Sequence, residues 1–148
     1  METNWLNDEQ QHIWRAYLQA TNRIQQYLDQ NLRGSGIGLS EYVVLAMLSE
    51  AEGRRMRMSD LAEAAHQSRS RLTHTITRLE QAGHVTRTNC AADGRGVWAE
   101  LTQTGFEFLV GVAPQHVAAV RRILIDAVEP SDLAALGRAM DAVCSVAD

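Results

Sequence analysis

A chain of 148 residues, 45% apolar and 22% charged, has the size and balance of one ordinary globular domain, which excludes disordered and collagen-like classes. Two cysteines, Cys90 and Cys144, are too few for a disulfide framework, and the formal net charge of −4 argues at first sight against a nucleic-acid partner. Met1 to Asp8 lacks the apolar core of a signal peptide, and no stretch approaches the ~20 apolar residues of a spanning helix, so the expectation is a soluble cytoplasmic protein with no membrane partner.

In chain order, residues 8–33 read as a helix, with Ile13, Tyr17, Ile24 and Leu28 near helical spacing and Trp14 and Leu18 widening the stripe. Gly34, Gly36 and Gly38 end it. Ser40 is the expected N-cap of a second, apolar helix that stops near Gly53, with Glu41 in its first turn. Residues 54–58 suit a brief extended segment. Ser59 is the expected cap of a third, short helix, His66 and Gln67 a turn, and 68–82 a fourth helix whose buried stripe is Leu72, Ile76 and Leu79. Two strand-like runs, 84–89 and 97–102, flank an Asp93-Gly94 turn signal and make a β-hairpin. The remainder is helical, with Pro114 expected to kink or split the helix over 103–128. A last helix starts at Glu129-Pro130 and carries Leu133, Leu136, Met140 and Val143 on one face.

Short helix, turn, helix and hairpin in that order make a helix-turn-helix followed by a wing. The fold class expected is mainly α with a small β-hairpin wing, a winged helix-turn-helix with N- and C-terminal helices around it. The charge is not evenly spread. Residues 54–95 hold eight arginines and four acids, while the rest holds six arginines and fourteen acids. Nucleic-acid binding would therefore be a local property of the basic middle. On the fourth helix the surface set is Ser68, Arg69, Ser70, Arg71, Thr73, His74, Thr75, Thr77 and Arg78, with no acid before Glu80. A solvated face usually mixes charge signs and uses strong helix formers; this one offers compact hydroxyl donors and forked guanidinium groups that suit phosphate and guanine. Arg95 at the hairpin tip suits a minor groove, with Asp93 placed to orient it, and Arg87 lies at the base.

These pieces together resemble the MarR family of bacterial regulators over nearly the whole chain. The matching stretches are Leu39-Ser40, Met58-Ser59-Asp60-Leu61-Ala62, Ser70 through Gly83, Asp93-Gly94-Arg95-Gly96 and Leu101-Thr102-Gln103-Thr104-Gly105. The resemblance implies a homodimer built on residues 1–38 and 103–148, with 39–102 as the DNA-binding lobe. It also implies a repressor of a pseudo-palindromic double-stranded operator, with half-sites one helical turn apart, released by a small-molecule effector. The terminal helices, apolar on more than one side, support a dimer independently, since exposed they would form a large apolar patch.

In the family, effectors bind between the dimerisation helices and the lobe, and many are aromatic acids or phenols. His12, Trp14, Arg15 and Tyr17 are candidates to line such a pocket, although aromatic residues at helical spacing also serve as core. Cys90 at the wing base offers an alternative, a redox-sensing regulator. A winged-helix dimer that binds other proteins and not DNA is a further alternative. The five histidines have no tight ligand spacing, so no metal is expected. No cofactor is implied, and no phosphate-cradling loop or nucleophile elbow points to an enzyme.

Overall fold

The computed structural model describes residues 1–89 and 96–148. The chain forms two compact units, Met1–Leu28 with Val117–Asp148, and Asp29–His116. Helix α1 spans Asp8–Arg33, as its apolar spacing predicts. Helix α2 spans Leu39–Glu50, and its cap differs from the expected one. Ser40 lies inside the helix and Gly38 is the N-cap. The Glu41 carboxylate accepts the Gly38 N–H at 2.6 Å, and Asp29 accepts the Leu39 N–H at 2.8 Å. Two carboxylates thus satisfy the first donors of α2 and sit at the positive end of its dipole. That bond from Leu39, helped by Arg33, holds the Asp29 carboxyl below its ordinary range. A Cβ at position 38 would come within 2.8 Å of one carboxylate and 2.9 Å of the other, so any larger residue there would push these carboxylates from the N–H groups they hold.

A 3₁₀ turn over Glu52–Arg54 leads into strand β1, Arg55–Arg57, and directly into α3, Met58–Ala64. Ser59 is therefore inside α3 and does not cap it. The reason is that β1 stays paired through Arg57, opposite Trp98, so the chain turns into the helix with no residue to spare. Helix α4, Arg69–Gln81, is capped by Ser68. Strands β2, Val85–Asn89, and β3, Val97–Leu101, form the expected hairpin. β1 joins it, giving a three-stranded antiparallel sheet in the order β1-β3-β2. Val85 pairs with Leu101, and Met56 and Arg87 both pair with Ala99. Strand alternation places these on one face and Arg55, Arg57, Thr88 and Trp98 on the other.

The core of the larger unit gathers Leu32 of α1, Val44, Leu45 and Leu48 of α2, Leu61 of α3, the inner face of α4, and Val85 and Ala99 of the sheet. Helix α5, Gln103–Val120, adds Leu109 and Val112 to this core. Gly105 lets α5 start there, because a Cβ at that position would overlap the His84 carbonyl oxygen. Pro114 does not split the helix. The regular pattern changes only at a π-turn over Arg121–Ile125, before α6, Pro130–Cys144.

One expectation is qualified by α5 and its π-turn. Residues Gln103–Ile125 form a helix of 23 residues with a mean hydropathy of 1.3 in its most apolar window, long and apolar enough by length and composition to cross a bilayer. Phenylalanine, leucine, isoleucine, valine and alanine raise the mean, but glycine, glutamine, histidine and arginine interrupt them, so no run of ~20 apolar residues forms. Only 17% of that window is buried within the chain. The smaller unit is similarly open: Ile13, Trp14, Tyr17 and Leu18 of α1 are 45–59% exposed, and Met140 and Val143 of α6 are exposed as well. The stripes that predict these helices are real, but most of their apolar surface is uncovered in one chain.

Two histidines are held against aromatic rings in the larger unit. His84 stacks on Phe108 with centroids 4.4 Å apart, and His116 lies 4.1 Å from Tyr42. Each Nδ1 is buried without a hydrogen-bond partner among the described residues. Burial lowers both imidazoles below the ordinary 6.5 and raises the Tyr42 hydroxyl above 10.0.

Two outcomes are expected. Gly105→Ala lowers unfolding free energy by ~1–3 kcal/mol or more, as overpacking against a backbone carbonyl does, read from urea melts. In the same melts the wild type is most stable above pH 6.5 and weakens as pH falls, because unfolded histidines take up protons before the buried ones do. His84→Gln and His116→Gln each flatten that pH dependence.

Candidate nucleic-acid interface

Helix α4 owes its position to a stripe at i, i+3, i+4 and i+7: Leu72, Thr75, Ile76 and Leu79, all 1% exposed or less. Thr75 corrects the sequence reading, which counted it among the DNA-facing residues. It fills the gap that makes the Leu72-Ile76-Leu79 stripe look narrow. Its hydroxyl is satisfied indoors, near the Arg71 carbonyl at 3.1 Å and the Gln67 side-chain oxygen at 3.3 Å. Gln67, in the turn before α4, also reaches the Ser40 carbonyl of α2 at 3.5 Å. A buried threonine thus ties the helix to its turn, where an apolar residue would leave Gln67 short of a partner.

The other face of α4 is open. Ser68, Arg69, Ser70, Arg71, Thr73 and His74 are exposed. Ser68 Oγ accepts the Arg71 N–H at 3.1 Å, which caps the helix and leaves its O–H able to donate. Thr73 and Thr77 donate back to the Arg69 and Thr73 carbonyls, at 2.9 and 2.8 Å, leaving their oxygens able to accept. Arg69 and Arg71 meet no acid among the described residues.

Two of the expected arginines are held by carboxylates. Arg78 Nε binds Glu41 at 2.7 Å, through the same side chain that caps α2. Arg78 is half exposed, so the contact orients a guanidinium group that still reaches solvent. Arg87 of β2 binds Glu80 of α4 at 3.0 Å, and its backbone N–H donates to the other Glu80 oxygen at 3.1 Å. These bonds hold the Glu80 carboxyl below its ordinary range. Arg87 also lies 3.4 Å from Thr77. The first acid after the basic face therefore clamps the hairpin to the helix. Asp93, Arg95 and Cys90 lie outside the described residues.

His12, Trp14, Arg15 and Tyr17 all lie exposed on α1 in the smaller unit, where Trp14 and Tyr17 stack with centroids 6.0 Å apart. They do not belong to the unit that carries α4.

The sequence reading missed the basic residues of β1. Arg55 and Arg57 lie 4.7 and 5.5 Å from the centre of the Trp98 ring, and Arg54 lies 3.6 Å above Phe106. Arg57 and Ser59 also line a hollow of about 460 Å³ with Arg69 and Thr73 of α4 and Arg87 of β2. The Arg-Met-Arg alternation at 55–57 was the available signal. It reads as a plain extended segment until pairing with β3 shows what the arginines face.

Among known proteins, a model of the MarR family matches residues 35–96. The chain is similar to AbsC, a MarR family transcriptional regulator from Streptomyces coelicolor, with 46% identity, 96% of each chain covered and a TM-score of 0.90. It is similar to Sco3205, a second MarR family regulator from that organism, crystallised in complex with DNA, with 40% identity, 97% of this chain and 90% of that one covered, and a TM-score of 0.92. The Escherichia coli HTH-type transcriptional regulator PrsX is 30% identical over 101 residues, 68% of this chain, and the match spans 61% of that relative's length.

If Thr75 belongs to the core and not to the interface, Thr75→Val lowers stability by ~1 kcal/mol and leaves the sequence selectivity of DNA binding unchanged. Thermal melts and competition between two duplexes check the two halves.

Proposed function

This chain belongs to the MarR family of transcriptional regulators, and on that premise we propose that it is a dimeric repressor that binds a pseudo-palindromic operator through α4 and is released by a small effector. One observation carries the DNA half of this reading. From Ser68 to Leu79 the chain has three arginines and no acid, and Arg69, Ser70, Arg71, Thr73 and His74 form an open face on a helix whose opposite face is locked in the core. A short helix with donors along one side suits the major groove. The Arg87–Glu80 pair pins the hairpin to α4, and Asp93 and Arg95, outside the described residues, keep in this reading the minor-groove role expected of them from the sequence.

The dimer reading is supported by apolar surface. Ile13, Trp14, Tyr17 and Leu18 on α1, Val143 and Val146 near the C-terminus, and the sparsely buried α5 are costly in water. A second copy that covers them sets two α4 helices about 34–36 Å apart on one side of a duplex. For the effector, a small aromatic acid or phenol, the stacked Trp14 and Tyr17 with His12 and Arg15 supply aromatic and basic groups. Such a protein acts on chromosomal DNA, in the cytoplasm, and carries out no catalysis.

The test is fluorescence anisotropy of the purified protein on DNA from upstream of its own gene, against a scrambled duplex, over a salt series. Sequence-dependent binding that weakens steeply with salt is expected. Arg71→Ala costs ~1–3 kcal/mol on the upstream DNA and relaxes selectivity. Binding no tighter than to the scrambled duplex at low salt overturns the reading and favours a protein-interaction module.

A further inference from the structure

The guanidinium group of Arg78 is held by an acid that also serves another helix. Glu41 Oε1 accepts its Nε–H at 2.7 Å, and Glu41 Oε2 accepts the Gly38 N–H at the start of α2 at 2.6 Å. The two partners differ in exposure: 13% of the Glu41 side chain is open to solvent, against 55% of Arg78. A covered carboxylate thus grips one edge of an uncovered guanidinium group. The other N–H donors of Arg78, on its two Nη groups, meet no acid among the described residues. Position decides what those donors face. At 100° per residue, Arg78 lies roughly 110° round α4 from the centre of the buried stripe of Leu72, Thr75, Ile76 and Leu79. Ser70 and His74 lie nearly opposite that stripe. A helix about 10–12 Å across fills a major groove about 12 Å wide. Side chains opposite the core then meet base edges, and those on the flanks, Arg78 among them, meet the phosphate walls.

On charge alone, an acid beside a phosphate wall works against binding: it repels the backbone and offsets the cation that would attract it. We infer the opposite for Glu41: it is a positioning residue for DNA binding, which acts by holding Arg78 with its Nη groups toward an operator phosphate. An unheld arginine loses rotamer freedom when it binds, whereas one already fixed at Nε has less to lose. The bond from Gly38 keeps the carboxylate itself in place, because Glu41 is tied to the start of α2 and cannot swing with the arginine. The contact it positions sets register on the backbone and reads no sequence. This inference rests on the reading of α4 as the groove-binding helix.

The experiment measures binding of wild type, Glu41→Gln, Arg78→Gln and the double variant to the upstream and scrambled duplexes over a salt series, with thermal melts beside it. Glutamine at this position of the helix can still accept the Gly38 N–H, but its one oxygen cannot also hold Arg78. Positioning predicts that Glu41→Gln weakens binding to both duplexes by the same factor, roughly three- to tenfold. The salt slope is kept, because the arginine still reaches the phosphate. Arg78→Gln weakens both and lowers the slope of log affinity against log salt by ~0.9. In the Arg78→Gln background, Glu41→Gln weakens binding no further. If wild type binds DNA and Glu41→Gln binds as tightly or more tightly, as loss of a negative charge alone would produce, the inference is wrong and the DNA-binding reading stands. Equal losses from Glu41→Gln with and without Arg78 also overturn it, since they mark a helix cap and nothing more. If wild type binds neither duplex, the DNA-binding reading fails and the inference with it. Where Glu41→Gln melts below the assay temperature, Arg78→Lys decides. Lysine keeps the charge but has no planar fork to be held at Nε, so positioning predicts a loss on both duplexes, and no loss overturns it.

Discussion

Everything on the exposed side of α4 depends on how its buried side is held. Leu72, Ile76 and Leu79 lock the helix against the core formed by α2, α3 and the sheet, and Thr75 fastens it to Gln67 in the preceding turn. A helix anchored along two turns has no freedom to rotate. Arg69, Ser70, Arg71, Thr73 and His74 therefore project from a defined surface, as recognition of a duplex requires of its reading element.

Carboxylates do the second part of this positioning. Glu41 caps α2 with one oxygen and holds Arg78 of α4 with the other, so one side chain couples the start of one helix to the end of another. Glu80 accepts both the side chain and the backbone of Arg87 and so couples α4 to the hairpin. Both pairs are partly exposed and add little to stability by themselves. Their value is geometric, since they orient cations that still face outward. The negative total charge of the chain is thus compatible with DNA binding. Fourteen of its acids lie outside the basic segment, and two acids close to α4 act as struts.

The apolar surface follows a different logic. The larger unit buries its apolar stripes well, whereas the smaller unit leaves Ile13, Trp14, Tyr17 and Val143 in solvent. Helical spacing of apolar residues is the same signal in both. It states that a face will be covered, not whether the cover comes from the same chain, a second copy or a lipid phase, and this is why 103–125 is apolar enough to suit a bilayer in a chain of a family of transcriptional regulators.

The order of elements, the extent of α1, the turn at His66-Gln67 and the hairpin strands were all legible in the sequence, because each depends on local spacing and turn chemistry. The basic character of α4 was legible for the same reason. Other features were not. Gly38 displaced Ser40 as the α2 cap because Asp29, ten residues from Leu39, supplies a carboxylate. Thr75 went inside because Gln67 waits there for its hydroxyl. Arg57 and Ser59 joined Arg69, Thr73 and Arg87 around one hollow because β1 pairs with β3, a strand far along the chain. The sequence by itself determined which helices and strands exist and which of them carry charge. Only the tertiary structure decided which charges meet, because partners distant in the chain are brought together by strand pairing and core packing, which no local pattern specifies.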